Sequence, residues 1–387
     1  MLSLVFLGTS SAKPTATRNT SSLALNLEKE WWLFDCGEGT QHQLQKSKGL
    51  ALSKMSKIFI THMHADHMFG LIPLMASTFN GMGGQTEEGA DTRVEEAQST
   101  EPFEIYGPFG LREYIRKSLL LTYTQLGRMY TVHELHPGPI PSDRNEGQMH
   151  PCEVMGRDIS IENGAWKAIH KDALYQVDAS PILHSVFSLG FVITEAPTVG
   201  TIDKKSYEPA LNRNKAQLAA QGVKNPMSLL GKLQKNEKIT LPDGTVLEPP
   251  GLREGRKVVI LGDTHDPSAI APLSHGATVL VHEATNAYLP ESDSAAQSMT
   301  REEHQEWTMS RGHSTPEMAG AFAASIGANA LVMNHFSARY RADDPVMDDI
   351  KALAEQKIPG KVVICSKDLM TIEITKNNVV RVKEETK

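Results

Sequence analysis

Cysteine is scarce in this 387-residue chain, and the three that occur exclude two architectures at once. Cys36, Cys152 and Cys365 are odd in number and far apart. They suit neither a disulfide framework nor a cysteine-based zinc site, and they imply a reducing compartment. Long apolar runs are missing as well. No stretch approaches the ~20 residues that cross a bilayer, and Met1 to Gly8 carries no basic leader, so it reads as a first strand. The expectation is a protein of the cytoplasm, compatible with a nuclear pool, with no membrane association. Nor does positive charge prevail. A net charge of -7 excludes a uniformly basic nucleic-acid binder, so any polyanion must be met by a local patch or by metal ions.

What is present is ordinary in bulk, with 40% hydrophobic and 22% charged residues, and the length suits one large α/β core. Short apolar runs read as strands in two groups. Leu2 to Leu7, Ser22 to Leu27, Trp31 to Phe34 and Lys57 to Ile60 form the first. Lys257 to Leu261, Thr278 to Val281, Ala330 to Met333 and Lys361 to Cys365 form the second. Helical patterns follow at Leu111 to Leu121, Thr315 to Ser325 and Pro345 to Gln356, with Thr315-Pro316-Glu317 supplying a cap, a first-turn proline and an early acid. Two strand–helix blocks predict two sheets covered by helices. Residues 81–101, glycine-rich and then acidic, read as a disordered loop. Between the blocks, 196–250 is a basic insertion. From Asp203 to Lys238 it carries Lys204, Lys205, Arg213, Lys215, Lys224, Lys232, Lys235 and Lys238 against Asp203, Glu208 and Glu237. Leu241 to Val246, containing Pro242-Asp243-Gly244, reads as the hairpin that returns it to the body. A solvated surface excursion is the alternative.

The chemistry concentrates in His62-Met63-His64-Ala65-Asp66-His67, four potential metal ligands in six residues directly after a buried-strand pattern. Imidazole with carboxylate suits zinc or manganese. Four ligands in one loop cannot complete two metal shells, so partners must come from elsewhere. His184, Asp263 and His335 each flank a strand candidate. Each alone is compatible with a structural role; together with the loop they form a constellation.

Several segments place the chain beside a known family. Phe6-Leu7-Gly8-Thr9-Ser10, Leu33 to Gln41, Thr61 to His67, Gly262-Asp263-Thr264, His282 to Thr285, His313-Ser314-Thr315 and His335 to Tyr340 resemble the signatures of the metallo-β-lactamase superfamily, and within it the short-form ribonuclease Z family. The similarity runs from about residue 2 to about residue 375. It implies an αβ/βα four-layer sandwich with two mixed sheets, a single metallo-hydrolase domain over 1–387, and 196–250 as an inserted tRNA-binding arm. At the arm's tip Gly222 to Ser228 stands where bacterial-type arms carry a Gly/Pro-rich stretch. The resemblance further implies two zinc ions, with manganese as an alternative. His62, His64 and His184 would hold one, Asp66, His67 and His335 the other, and Asp263 would bridge them. His313 would be the general acid with Glu283 as its partner, and Asp66 would orient water. Asp35 would support a ligand loop by hydrogen bonds or simply cap a turn. His282 reads as a packed histidine. Arg339 and Arg341 would grip phosphate or cap a helix, and Tyr340 would meet a base or fill the core.

The implied activity is removal of the 3′ trailer from precursor tRNA, leaving a 3′-hydroxyl on the tRNA and a 5′-phosphate on the trailer, by a homodimer. Two competitors remain: a small-molecule phosphodiesterase or arylsulfatase-like hydrolase of the same fold, and an inactive RNA-binding paralogue. Seven filled ligand positions speak against the latter.

Overall fold

Phe34, Phe59 and Tyr106 stand side by side on three adjacent strands and account for the middle of the structure. Their strands pair so that Phe34 faces Phe59 and Phe59 faces Tyr106, which stacks the rings at 4.9 and 5.0 Å. Successive side chains on a strand point to opposite faces, so the intervening Leu33, Ile58, Ile60 and Ile105 turn the other way. There they share a core with Leu44, Leu74, Ile115 and Leu119 from the helices Thr40–Lys46, Leu71–Thr78 and Leu111–Leu121. Phe191, on a strand of the second sheet, meets Phe34 and Phe59 with ring centroids 5.9 and 5.4 Å apart. The two sheets therefore pack face to face through aromatic rings. Phe59 is fully buried, and truncating it to alanine would cost about 3–5 kcal/mol.

The computed structural model describes residues 2–79, 101–140, 147–200 and 202–383. The loop expected over 81–101 lies outside the described residues except for Glu101. The first sheet runs, in spatial order, Val380–Val382, Thr371–Ile374, Leu2–Gly8, Ser22–Leu27, Trp31–Phe34, Met55–Phe59, Phe103–Pro108, Tyr130–His136 and Glu153–Val154. Asp158–Ser160 also pairs with Tyr130–His136. Its pairings are antiparallel at one end and parallel at the other. The second sheet runs Val362–Cys365, Ala330–Asn334, Val279–Glu283, Lys257–Leu261, Ser188–Glu195, Tyr175–Ile182 and Trp166–Lys171. Val259, Leu280, Leu331 and Met333 pack outward onto Ala319, Ala323, Ile350 and Leu353 of helices Pro316–Ser325 and Val346–Glu355. Helix, sheet, sheet, helix is the four-layer αβ/βα order. Thr315 caps the first of these helices by accepting from the Met318 N–H, with Pro316 in the first turn, as its sequence indicated.

Two compact units divide the chain: residues 1–171, 177–193 and 257–387, and residues 172–176 and 194–256. The second unit contains the basic insertion and has an apolar core of its own, built by Leu211, Leu218, Leu229, Leu230, Leu233 and Ile239 with Leu241 and Leu247. Helix Lys204–Arg213 is capped by the Asp203 side chain. The hairpin pairs Ile239–Thr240 with Val246–Leu247, and its turn closes through Leu241 N–H to Thr245 O at 2.8 Å. Glu195 and Arg256 form a buried ion pair, with Arg256 Nε donating to Glu195 Oε2 at 2.8 Å. All eight cations of the basic run are exposed. Asp243 and Glu248, just beyond the run, stand 4.0 and 3.0 Å from Arg213 and Lys238, so the free positive charge rests on the six other lysines.

Candidate metal centre

Parallel pairing aligns the carboxyl ends of strands Lys257–Leu261, Val279–Glu283 and Ala330–Asn334, the edge where α/β sheets present ligands. Asp263, Glu283 and His335 stand at those ends. His62, His64, Asp66 and His67 follow the carboxyl end of Met55–Phe59, and His184 follows Tyr175–Ile182. Every sequence-nominated site residue thus belongs to the first unit.

The side chains form two adjoining clusters. In one, His64 Nδ1 lies 3.1 Å from His62 Nε2 and 3.2 Å from His184 Nε2. In the other, His67 Nε2 lies 3.1 Å from His335 Nε2, and Asp66 Oδ2 stands 3.3 Å from His335 and 3.7 Å from His67. Asp263 reaches both. Its carboxylate is 3.3 Å from His67 and from His335, 3.8 Å from His62 and 3.9 Å from His184. Ligands ~2.0–2.1 Å from a tetrahedral cation stand ~3.3 Å from one another. Both clusters have that spacing.

Proton placement supports the same arrangement. Thr61 Oγ1 donates to Asp35 Oδ2 at 2.8 Å, so it accepts from His62 Nδ1–H at 3.0 Å. His67 Nδ1–H donates to Asp35 at 2.7 Å. His184 Nδ1–H donates to the Gly312 carbonyl at 2.7 Å. Thr285 Oγ1 donates to Glu283 Oε2 at 2.5 Å and accepts from His335 Nδ1–H at 3.1 Å. Four imidazoles are thereby left with a bare Nε2 turned inward, the tautomer a metal requires. Burial keeps His62, His64 and His184 below the ordinary imidazole range. At His67 burial again opposes charge, but Asp263 and Asp35 overcome it and draw the ring well above that range. A divalent cation at Nε2 satisfies the same carboxylates without the proton. Nitrogen and carboxylate donors in this arrangement fit zinc.

Asp35 is therefore more than a turn cap. It also accepts from the Thr61 N–H at 2.7 Å, and it holds φ +57°, as His335 holds +56°. Left-handed backbone at two such residues is strain retained where it aims a side chain. The buried Glu283 carboxylate accepts from Thr264 N–H, Ser314 N–H and Thr285 Oγ1 at 2.8, 3.1 and 2.5 Å. Its Oε1 lies 3.0 Å from His313 Nδ1. Burial disfavours the His313 cation, yet Glu283 and Asp263 hold its pKa up to about 9. Burial raises Asp66, but His335 and His67 bring it below the usual carboxylate range, so it is an acceptor at neutral pH and a poor proton sink.

Such a pattern has relatives. Zinc phosphodiesterase ELAC protein 1 of Homo sapiens is 33% identical over 396 residues, spanning 96% of this chain and 98% of its own. Ribonuclease Z of Nostoc punctiforme is 34% identical, covering 88% of this chain and 86% of its own. The chain belongs to the ribonuclease Z family. The crystal structure of human tRNase Z, short form, superposes with a TM-score of 0.59 at 30% identity over 96% of this chain and 99% of that one. The metallo-β-lactamase fold protein YhfI from Bacillus subtilis has a TM-score of 0.54 at 14% identity, covering 96% of this chain and 98% of its own, which shows the shared fold alone. A family model described as anti-Pycsar protein Apyc1 matches residues 2–86, the part that holds the histidine loop. As a ribonuclease Z family member the chain is a metal-dependent hydrolase of the metallo-β-lactamase fold.

The structure also sorts the neighbouring residues. His282 is buried, with its Nδ1 2.7 Å from the Glu283 carbonyl oxygen, a packed histidine. Tyr340 fills the core and donates to Asp293 at 2.6 Å. Arg339 binds the same Asp293 at 3.0 Å, and Arg341 is paired with Asp343. Thr61 and Thr285 lie within the Thr61 to His67 and His282 to Thr285 segments and Gly312 directly precedes His313, but the sequence reading gave none of the three a role. At Gly312 an added Cβ would lie 2.5 Å from His184 Nδ1, and φ is +82°, so glycine there is a requirement of the site. Those two segments and the adjoining His313-Ser314-Thr315 were the available signal.

Proposed function

We propose that this chain removes the 3′ trailer from precursor tRNA by phosphodiester hydrolysis at a centre loaded with two divalent cations, zinc in the first instance. His62, His64 and His184 would hold one, Asp66, His67 and His335 the other, with Asp263 shared. When bound, such a pair supplies a solvent nucleophile at neutral pH and neutralises charge developing on the phosphate. The chain's own residues do the rest. Asp66, kept ionised and fixed by the Ala12 N–H at 2.7 Å, accepts a hydrogen bond and orients attacking solvent. His313 carries its proton at neutral pH and delivers it to the departing ribose 3′-oxygen, with Glu283 anchoring Nδ1 so that Nε2 is the donor. The products are a tRNA 3′-hydroxyl and a trailer 5′-phosphate. The observation that carries this reading is the shared Asp263 between two nitrogen-rich clusters, beside a charged His313–Glu283 pair.

The exposed lysines of the 194–256 unit supply the patch an acidic protein needs for RNA, recognised by phosphate geometry more than by base edges. A homodimer working in the cytoplasm completes the proposal. It is supported by family membership, and by three cysteines that are unpaired in the structure. No helix among the described residues is long and apolar enough to cross a membrane. The decisive test is incubation with end-labelled precursor tRNA, with and without chelator. One cut after the discriminator nucleotide, lost on chelation and restored by zinc or manganese, is expected. Hydrolysis of small diesters alone would favour the small-molecule reading.

A further inference from the structure

Arg18 is 2% exposed, and no step of the proposed hydrolysis uses it. Arginine is almost never fully buried unless it is paired. A local turn aims it inward. Thr15 Oγ1 accepts from the Thr17 and Arg18 N–H groups at 3.3 and 3.0 Å, and the Thr15 N–H donates to the Arg18 carbonyl at 2.7 Å. The guanidinium then joins three separate segments of chain. Nε donates to the Tyr340 carbonyl at 2.9 Å, and Nη1 donates to the Ser366 carbonyl at 2.9 Å and to Thr9 Oγ1 at 2.8 Å. Its Cζ stands over the Phe336 ring, 4.6 Å from the centroid. Thr9 Oγ1 passes the link on by donating to Asp368 Oδ1 at 2.8 Å. Burial draws the Arg18 pKa down to about 10 while Asp368 opposes it, so the cation persists at neutral pH.

Two of those segments support one half of the metal centre. The Phe336 N–H donates to Thr9 O at 3.0 Å and the Ser11 N–H to Phe336 O at 2.9 Å, which ties the 9–12 loop to the turn that carries His335. Ala12 completes that loop with its N–H on Asp66 Oδ2 at 2.7 Å. Ala12 holds φ +63° and His335 +56°, left-handed backbone that persists only where the surroundings over-determine it. Arg18 supplies such a constraint, because it grips the loop through Thr9 and the turn through Phe336 and Tyr340. His62, His64 and His184 are held differently, by Thr61, by one another and by the Gly312 carbonyl. Among the described residues no side-chain hydrogen bond joins these three to either segment.

We propose that Arg18 is a positioning residue for Asp66 and His335, and so sets the affinity of one cation of the pair and not of the other. The inference rests on the two-cation reading. Lysine does not replace it. An ammonium is a compact point charge, whereas the planar fork meets Tyr340, Ser366 and Thr9 at fixed angles.

Zinc competition against a chromogenic chelator, on the full metal-free chain, tests this. Wild type should take two zinc ions per chain. Arg18→Lys should weaken one binding step about tenfold, the lower end of what partners of metal ligands contribute, and leave the other within about twofold. Combining it with His335→Ala or His64→Ala identifies the step: it should change nothing beside His335→Ala and weaken zinc further beside His64→Ala. Should Arg18→Lys not fold, Thr9→Val, which cuts only the link through Thr9 Oγ1, carries the same expectation. Arg116→Met is the control. Arg116 is equally buried and binds Glu153 at 2.7 Å, and Glu153 pairs with Tyr130, at the end of the sheet opposite the histidine loop. That variant should lower the melting temperature and move neither affinity. Equal weakening of both steps, unchanged affinities, or the same zinc loss in Arg116→Met would each overturn the assignment. Wild-type protein that takes a single zinc ion would overturn the two-cation reading instead.

Discussion

Asp35→Asn offers a sharp test of how the centre is held. The carboxylate accepts three hydrogen bonds, from Thr61 N–H, Thr61 Oγ1 and His67 Nδ1–H, at 2.7, 2.8 and 2.7 Å. Asparagine has nearly the same shape and tolerates the left-handed backbone that Asp35 adopts at φ +57°. With its oxygen kept on the Thr61 N–H, its NH₂ replaces the atom that received the other two. His67 Nδ1 must then accept, which moves the ring proton to Nε2. Thr61 Oγ1 must accept as well and donates its own proton to His62 Nδ1, which reverses that tautomer too. One isosteric change thus spoils a ligand in each cluster.

Replacing a single supporting partner of a metal-bound histidine typically costs 10–100-fold in affinity, and here two are hit. A loss of about 100-fold in zinc affinity, about 2.7 kcal/mol, is expected, with a comparable fall in cleavage. Competition against a chromogenic chelator measures the affinity, and thermal melting of the metal-free variant checks that the fold survives. Asp35→Ala is the harsher control. It strands three buried donors at ~1–3 kcal/mol each and puts a non-glycine side chain in left-handed backbone at ~1–2 kcal/mol. If Asp35→Asn holds zinc as tightly as wild type, the tautomer argument is wrong.

His64→Ala removes one proposed ligand and should abolish cleavage while tRNA affinity, read by filter binding in chelator, changes less than about twofold, since the lysines proposed to hold phosphate lie elsewhere. Gly312→Ala places a methyl against His184 and should reduce bound metal per chain, measured by atomic emission, together with activity. Neutralising Lys204, Lys205, Lys232 and Lys235 together should weaken tRNA binding and lower the salt slope by about one for each phosphate no longer neutralised; an unchanged slope would relegate the insertion to decoration. Leu233→Ala, at a fully buried position of the small core, should cost about 2–5 kcal/mol, seen as earlier proteolysis within 194–256 than in the remainder of the chain.

The proposed ligands are legible in the sequence because their chemistry is local. His62 to His67 is one loop, and Asp263 and His335 each close an apolar strand. The groups that fix their tautomers are not. Thr61 and Thr285 stand at the ends of recognised segments and Gly312 adjoins one, but what each bonds to is decided only by where the sheets put it. Strand Tyr130–His136 escapes a hydrophobicity reading for a related reason. Its polar His133, Glu134 and His136 are all buried, with Glu134 accepting from the Arg112 N–H at 2.9 Å and His133 from the Arg157 N–H at 3.0 Å. Helix Arg301–Ser310 lies outside the helices expected from the sequence, although Thr300 and Glu303 spell a capping box that the structure completes in both directions. In the insertion, charge is visible but the leucine core beneath it is not, because its members are spread over three short α-helices, a 3-10 turn and a hairpin.

The carboxylates gathered at this centre also fix an order of events. Asp35, Asp66, Asp263 and Glu283 place four negative charges in and around a cleft, in a chain whose net charge is already -7. Before loading, protonated His67 and His313 offset only part of that charge, so the cleft stays negative and repels a phosphodiester. On the proposed function two divalent cations would cancel the four charges, and the His313 proton would then tip the balance to positive. On the same reading RNA would be drawn in only after the ions have arrived, so an ion-starved cell would hold idle protein whose exposed lysines remain available but whose cleft turns the substrate away.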